Sequence, residues 1–256
     1  MATPDDHALA ADLATRAGAL LIEVRGYLAS GDSSSEALKR EGDQRSHEFL
    51  MDALAGHRPH DAVLSEEGAA AAVHPNRAET SRVWIVDPVD GTREYGDPPR
   101  TDWAVHIALA ENGTPTAGAV ALPAVGVTLG TEPAPELAPA HDGRPRMVVS
   151  RTRPPAAAVI VAQAIDAELY GLGSAGAKAM AVVLGQADIY AHSGGQYEWD
   201  NCAPAAVAMA AGLHASRCDG SPLDYNYADP WLPDFVICRP ELADASLEAL
   251  RRAIEG

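Results

Sequence analysis

The apolar run Val83-Trp84-Ile85-Val86 stops at Asp87-Pro88-Val89-Asp90-Gly91-Thr92, and this junction constrains the chain more than any other stretch. The run predicts a β-strand. Two aspartates three residues apart then follow. Pro88 restricts the backbone between them, and Gly91 allows a sharp turn. Such a turn can aim both carboxylates and the Val89 carbonyl at one point. Hard divalent cations take oxygen ligands of this kind, and Mg2+ favours carboxylates together with water and phosphate oxygens. A helix starting at Gly91-Thr92 would present free N–H groups to an incoming phosphate. An ordinary Asx turn with an N-cap would use the same residue types.

Other segments alternate between helix and strand signals. Leu9, Leu13, Ala17, Leu20, Leu21, Val24 and Leu28 recur at helical spacing and predict an amphipathic helix over 5–29. The run Gly31-Asp32-Ser33-Ser34-Ser35 ends it. A second helix is expected from near Asp43 through Phe49, Leu50 and Leu54 to Gly56. Ala62-Val63-Leu64 reads as a short strand leading into Ser65-Glu66-Glu67, and residues 68–81 read as a mobile loop. Strands are expected at 103–109, 117–122 and 125–131, the first two flanking Glu111-Asn112-Gly113-Thr114 as a hairpin. Residues 132–145, rich in Pro and Ala, read as a linker or long loop. Beyond them, strands are expected at 147–149, 188–190 and 235–238. Helices are expected after Pro154-Pro155 and over about 174–184, 201–212 and 241–254. The chain is therefore expected to divide into an α+β part, 1–145, and an α/β part, 146–256.

Charge and composition exclude several functions. The formal net charge of -17 would repel a nucleic-acid polymer, and no basic patch appears. A small anionic substrate needs cations in the site to reverse the local charge. No stretch has the length and apolarity of a membrane helix, and the acidic N-terminus does not read as a signal peptide. Cys202, Cys218 and Cys238 are odd in number and form no CxxC, so neither a disulfide framework nor a structural zinc site is expected. A cytoplasmic setting fits them. The histidines form no HxxxH or HxH pair, and there is no GxSxG elbow, P-loop or Rossmann glycine fingerprint.

Four more acids stand where elements are expected to begin or end. The adjacent charges of Glu66-Glu67 are expected to be solvated or offset by a cation. Asp43 heads the second helix, and Asp200 in Trp199-Asp200 precedes an Ala-rich one; either alone would serve as an N-cap. Asp43, Ser65-Glu66-Glu67, the run from Trp84 to Thr92 and Trp199-Asp200-x-x-Ala203 stand in order along the chain, and this set resembles the inositol monophosphatase superfamily. The resemblance extends to Gly173-Ser174-Ala175-Gly176-Ala177-Lys178 and to Gly185-x-Ala187-Asp188-x-Tyr190. Inositol monophosphatases usually carry Thr-Asn-Phe after the Asp-Gly-Thr. Here Arg93-Glu94-Tyr95 follows it, which is similar to the 3'-phosphoadenosine-5'-phosphate phosphatases of sulfur assimilation. Ser150-Arg151-Thr152-Arg153-Pro154-Pro155 and His192-x-Gly194-Gly195-Gln196-x-Glu198 resemble their bacterial form. One segment departs: Leu38-Lys39-Arg40-Glu41-Gly42 stands where most relatives have a Pro-Val-Thr-x-Ala run.

The resemblance implies a layered α/β/α/β/α sandwich, the fold of the sugar phosphatases. It implies a lithium-sensitive phosphatase using two or three Mg2+ ions. Glu66, Asp87 and the Val89 carbonyl would hold one ion, and Asp87, Asp90 and Asp200 a second. A third would sit near Glu66 and Asp43. Thr92, hydrogen-bonded to Asp43, would orient the attacking water, and the N–H groups of Gly91 and Thr92 would hold the phosphate. Arg93, Ser174, Lys178, Gln196 and Asp200 are the expected substrate contacts, while His192 is expected to be a structural hydrogen-bonder. The implied partner is a small phosphorylated nucleotide or sugar phosphate, with no nucleic-acid polymer and no membrane; a homodimer stays open. Inositol or fructose bisphosphate phosphatase activity on the same scaffold is the alternative. A catalytically silent metal-sensing protein is another, against which the intact ligand set argues.

Overall fold

The computed structural model describes residues 1–29, 34–68 and 76–255. Helix α1, Pro4–Ala29, begins where Thr3 and Asp6 cap each other: the Thr3 amide donates to Asp6 Oδ2 at 2.9 Å and the Asp6 amide to Thr3 Oγ1 at 3.3 Å. Its buried stripe, Leu9, Leu13, Ala17, Leu21 and Val24, matches the expected spacing. Residues 31–33 of the predicted stop, and 69–75 of the predicted loop, lie outside the described residues.

Helix α2, Ser35–His57, starts eight residues before Asp43, which therefore lies mid-helix rather than at its head. Ser34 is the cap, accepting from the Ala37 amide at 3.2 Å. The buried stripe of α2 runs Leu38, Gly42, Ser46, Leu50, Leu54. Gly42 and Ser46 carry no apolar signal, which hides the first half of the helix. Gly42 is there for space, since a Cβ would lie 2.3 Å from the Tyr95 ring.

Strands β1 (Ala62–Ser65), β2 (Arg82–Asp90), β3 (Ala104–Glu111), β4 (Thr114–Leu122) and β5 (Val127–Gly130) form one sheet in that order. The pair β1–β2 is parallel and the others are antiparallel. Asn112 and Gly113, both at positive φ, close the expected β3–β4 hairpin. A one-turn helix α3, Thr92–Tyr95, follows β2 directly. After residues 131–145 come β6 (Arg146–Ser150), α4 (Ala156–Ala164), β7 (Glu168–Leu172), α5 (Ala175–Val183) and β8 (Ile189–Tyr197). The chain ends with α6 (Glu198–Ala210), β9 (His214–Ser216), β10 (Trp231–Cys238) and α7 (Ala243–Glu255). The second sheet runs β7-β6-β8-β10-β9. Strands β7 and β9 were not expected: β7 is an edge strand with no buried residue, and β9 has three residues. Helix α6 begins at Glu198, earlier than expected, because the Asp200 carboxylate accepts from the Tyr197 amide at 2.7 Å.

Alternation along the strands builds the layers. Val83 and Ile85 of β2 face a core shared with α5, α6 and the second sheet's Val148, Tyr190, Phe235 and Ile237. Trp84 and Val86 face the opposite core, made with α1 and α2. Met147, Val149, Ile189 and Val236 pack on α4 and α7. The order of layers is α1/α2, first sheet, α5/α6, second sheet, α4/α7, the α/β/α/β/α sandwich. The middle helices are rich in alanine, and small side chains let both sheets close on them.

Candidate active site

In a regular strand, residues three apart point to opposite faces. Asp87 and Asp90 escape this rule through a bulge. Asp87 pairs with His106 and Asp90 with Ala104, so the step from Asp87 to Asp90 is one residue longer than the facing step on β3. Both carboxylates thus reach one point. Asp200, in the first turn of α6, meets them there: oxygens of Asp87, Asp90 and Asp200 lie within 4.8 Å of one another.

The turn after the acids is tightly held. The Val89 amide donates to Asp87 Oδ1 at 3.1 Å, and the Val89 carbonyl accepts from Thr92 Oγ1 at 3.1 Å. Thr92 Oγ1 also stands 3.5 Å from Asp43 Oδ1 on α2. One turn along α2, the buried Ser46 hydroxyl donates to the Pro88 carbonyl at 2.8 Å. Gly91 has φ +83, and a Cβ there would lie 2.7 Å from Ser174 Cβ. Backbone conformation and close approach both call for glycine.

Charge in this space is unbalanced. Burial, then the charges of Glu66, Asp90 and Asp200, push the Asp87 carboxyl well above the usual range. Glu66, which follows β1, is pushed up to about 7 by burial and by Asp200, with Glu67 and Asp43 adding to the effect. Asp43 is raised to about 7 by burial and Glu67, with Thr92 and Lys39 opposing. Asp200 rises to about 6 through burial and Asp90, against the Tyr197 amide, His106 and Lys178. Asp90 alone goes the other way. Burial would raise it, yet His106, Lys178 and the Gly176 amide hold it below the usual range. Its Oδ1 accepts from the Ala175 amide at 3.1 Å and its Oδ2 from the Gly176 amide at 2.5 Å.

The expected substrate contacts sit differently from one another. Arg93 is exposed, with Nη1 at 3.3 Å from Thr152 Oγ1. Its motif partners are buried: Glu94 pairs with Arg151 at 2.9 Å, and the Tyr95 hydroxyl donates to the Leu21 carbonyl at 3.1 Å. Ser174 caps α5, its oxygen accepting from the Ala177 amide at 2.9 Å. Lys178 is buried, its ammonium donating to the Gly173 and Ser174 carbonyls at 2.5 and 2.6 Å. Burial lowers it to about 8. Gln196 Nε2 donates to the Tyr190 hydroxyl at 3.3 Å, and its Oε1 accepts from Asn201. His192 contacts the Gly195 carbonyl at 3.1 Å, a structural hydrogen bond. A cleft of about 640 Å³ opens beside the acids, with Asp43 and Thr92 in its lining and Lys39, Arg40 and His47 from α2.

Sequence reasoning missed His106. It sits on β3 with no exposed surface, 3.1 Å from Asp90 Oδ2 through Nε2 and 2.9 Å from the Trp199 carbonyl through Nδ1. The available signal was one histidine within the apolar run Ala104-Val105-His106-Ile107-Ala108, since a buried polar ring requires partners.

Two relatives similar in sequence are named as a phosphatase and a nucleotidase. A protein of Mycobacterium leprae called 3'-phosphoadenosine 5'-phosphate phosphatase is 48% identical over 258 aligned positions, covering 96% of this chain and 93% of that protein. The 3'(2'),5'-bisphosphate nucleotidase CysQ of Escherichia coli K12 is 33% identical, covering 76% of this chain and 82% of its own length. The crystal structure of CysQ from Bacteroides thetaiotaomicron superposes with a TM-score of 0.77 at 26% identity, covering 92% of this chain and 97% of that one. The sequence model of one family matches residues 6–144 and 141–255, nearly the whole length. The chain belongs to the inositol monophosphatase family.

Proposed function

We propose that this protein is a Mg2+-dependent phosphoric monoester hydrolase that removes the 3'-phosphate of 3'-phosphoadenosine-5'-phosphate, releasing AMP and inorganic phosphate. The observation that carries the reading is the convergence of Asp87, Asp90 and Asp200 within 4.8 Å, beside the Asp43–Thr92 pair. The substrate follows the names of the relatives at 48% and 33% identity. A place in sulfur assimilation belongs to the same reading.

The donor set fits a hard divalent cation. It offers only oxygens, and repulsion among its buried carboxylates is relieved by positive charge. Glu66, Asp87, Asp90, Asp200 and the Val89 carbonyl are the residues that would hold two or three ions. When bound, they supply Lewis acidity toward water, the phosphoryl oxygens and the leaving ribose oxygen. Li+, with half the charge, would compete without matching that effect.

The chain's own groups do the rest. The Thr92 hydroxyl, which lies 3.1 Å from the Val89 carbonyl and 3.5 Å from Asp43 Oδ1, would turn its hydrogen to Asp43 once that carbonyl faces a cation, leaving a lone pair to orient the attacking water. Asp43, facing Thr92, would take the proton that leaves the water. Water oxygen then bonds to phosphorus as the bond to the 3' oxygen breaks, and that oxygen takes a proton from solvent. The amides of Gly91 and Thr92 steady the phosphate. Ser174 and Gln196 would contact the substrate. Arg93 is an exposed cation beside Thr92 for a second phosphate, whereas the ammonium of Lys178 already serves two carbonyls.

The test is phosphate release from 3'-phosphoadenosine-5'-phosphate, inositol 1-phosphate and fructose 1,6-bisphosphate, with and without Mg2+. The nucleotide should give the highest kcat/KM, and chelation should abolish it. A preference for inositol 1-phosphate would overturn the substrate, and full activity in EDTA would overturn the metal site.

A further inference from the structure

Four segments that are distant in sequence meet at one buried histidine. Asp90 ends β2, Gly176 opens α5, Trp199 lies in the first turn of α6, and His106 stands between them on β3. Its Nδ1 is 2.9 Å from the Trp199 carbonyl and its Nε2 is 3.1 Å from Asp90 Oδ2. Trp199 immediately precedes Asp200. The ring therefore spans from one carboxylate of the cluster to the backbone that carries another. Gly176 makes room: a Cβ there would lie 2.1 Å from His106 Nε2 and 3.0 Å from Asp90 Oδ2.

We infer that His106 is a positioning residue, a clasp that fixes the separation and aim of Asp90 and Asp200 and so sets how tightly the site takes a divalent cation. This rests on the metal-site reading above, not on the choice of substrate. Asp90 has two hydrogen-bonding amides and, at 3.1 Å, His106 Nε2 as a close charge contact outside hydrogen-bond alignment. Both amides belong to α5 and fix the carboxylate relative to that helix only. His106 is the link from Asp90 to the segment bearing Asp200. Among the described residues no hydrogen bond or ion pair joins β2 to α6 directly, and packing by itself tolerates small shifts. Carboxylates that chelate one ion do not tolerate them, and removing the outer hydrogen-bond partners of metal ligands commonly costs tenfold to a hundredfold in affinity.

The two links can be cut separately. The amide nitrogen of Asn stands near the place of His Nδ1, and that of Gln near Nε2. His106→Asn keeps a donor for the Trp199 carbonyl and drops the Asp90 contact. His106→Gln does the reverse. Leu109→Ala, on the opposite face of β3 in the outer core, controls for loss of stability alone. Mn2+ binding would be measured by electron paramagnetic resonance without substrate, beside apparent Mg2+ requirement and substrate KM at saturating Mg2+. We expect Mn2+ binding to weaken about tenfold or more in His106→Asn and less in His106→Gln. Leu109→Ala should stay near wild type, and substrate KM at saturating Mg2+ should stay within about twofold. Binding within twofold of wild type in both histidine variants overturns the inference. So does equal weakening in Leu109→Ala. If neither histidine variant folds while Leu109→Ala does, His106 is a packing residue and the inference fails. A wild type that binds no Mn2+ sinks the metal site itself, and the inference with it.

Discussion

The hydroxyl of Ser46 on α2 donates to the carbonyl of Pro88, between the two acids of the β2 turn, at 2.8 Å. Both groups are buried, and the bond locks the helix that carries Asp43 onto the turn that carries Asp87 and Asp90. Ser46→Ala leaves that carbonyl without its partner, at a cost of about 1–3 kcal/mol. Urea unfolding should show the loss. Because the Asp43–Thr92 pair sits one turn away, kcat should fall more than KM rises. Unchanged stability and kcat would mean that the bond holds nothing in place.

Asp87 and Asp90 are both expected metal ligands, yet their surroundings are opposite. Asp87 is crowded by Glu66, Asp90 and Asp200, whereas Asp90 accepts from two amides and faces His106. Both Asp87→Asn and Asp90→Asn should abolish Mg2+-dependent turnover. In EDTA their stabilities should diverge. Asp87→Asn removes a repelled charge and keeps an oxygen for the Val89 amide, so its Tm should equal or exceed that of the wild type. Asp90→Asn turns an NH2 toward donors and should lose about 1.5–3 kcal/mol, the range for hydrogen bonds to a charged group. Equal Tm changes in the two variants would show that the asymmetry has no energetic weight.

The acid limb of stability should report Asp6. The Asp6 carboxylate takes the Thr3 amide and hydroxyl, the Arg58 guanidinium at 2.9 Å and that of Arg82 at 3.2 Å. Burial opposes ionisation, but these partners together bring it down to about 2. A carboxylate with a depressed folded value stabilises the fold fully above its unfolded value, near 3.9. That contribution disappears as pH falls from about 4 to about 2. The arginines are partly open to solvent, so the amount should be about 1–2 kcal/mol rather than the full linkage value. Urea midpoints for wild type and Asp6→Asn should differ at pH 6 and converge toward pH 2. A constant gap across that range would assign the difference to packing.

Local features were legible in the residues themselves, and the meeting of Asp200 with Asp87 and Asp90 only through the family resemblance. The metal turn could be read because Asp87 to Thr92 are contiguous and each residue type has a backbone reason to be there. The alternation of Val83-Trp84-Ile85-Val86 supplies both faces of the first sheet. The start of α2 was hidden because two positions of its buried stripe are Gly42 and Ser46, chosen for Tyr95 and Pro88 rather than for apolarity. His106 was hidden for a related reason. Its partners, Asp90 and Trp199, are 16 and 93 positions away, and only the bulge in β2 and the cap of α6 bring them together. Strand β7 has no buried residue to give a period.

Lys178 and Arg93 both look like phosphate ligands in sequence, and the structure separates them. The Lys178 ammonium donates to the Gly173 and Ser174 carbonyls at the start of α5, lies 5.2 Å from the Tyr190 ring centre and is buried. In that place it holds the α5 terminus whose amides aim Asp90. Lys178→Met should therefore lower kcat/KM for 3'-phosphoadenosine-5'-phosphate and for inositol 1-phosphate by a similar factor, since the damage falls on the shared site. Arg93 is exposed beside Thr92, so its charge is available only to a substrate that brings a second anionic group. An exposed ion pair is worth about 0.2–1 kcal/mol, which corresponds to roughly 1.4-fold to fivefold in affinity. Arg93→Ala should raise KM for the bisphosphate by that factor and leave inositol 1-phosphate almost unaffected. Kinetics of both variants on both substrates decide the matter. A selective loss on the bisphosphate in Lys178→Met would mean that its ammonium leaves the two carbonyls to bind substrate. A uniform loss in Arg93→Ala would make that residue part of the common site instead.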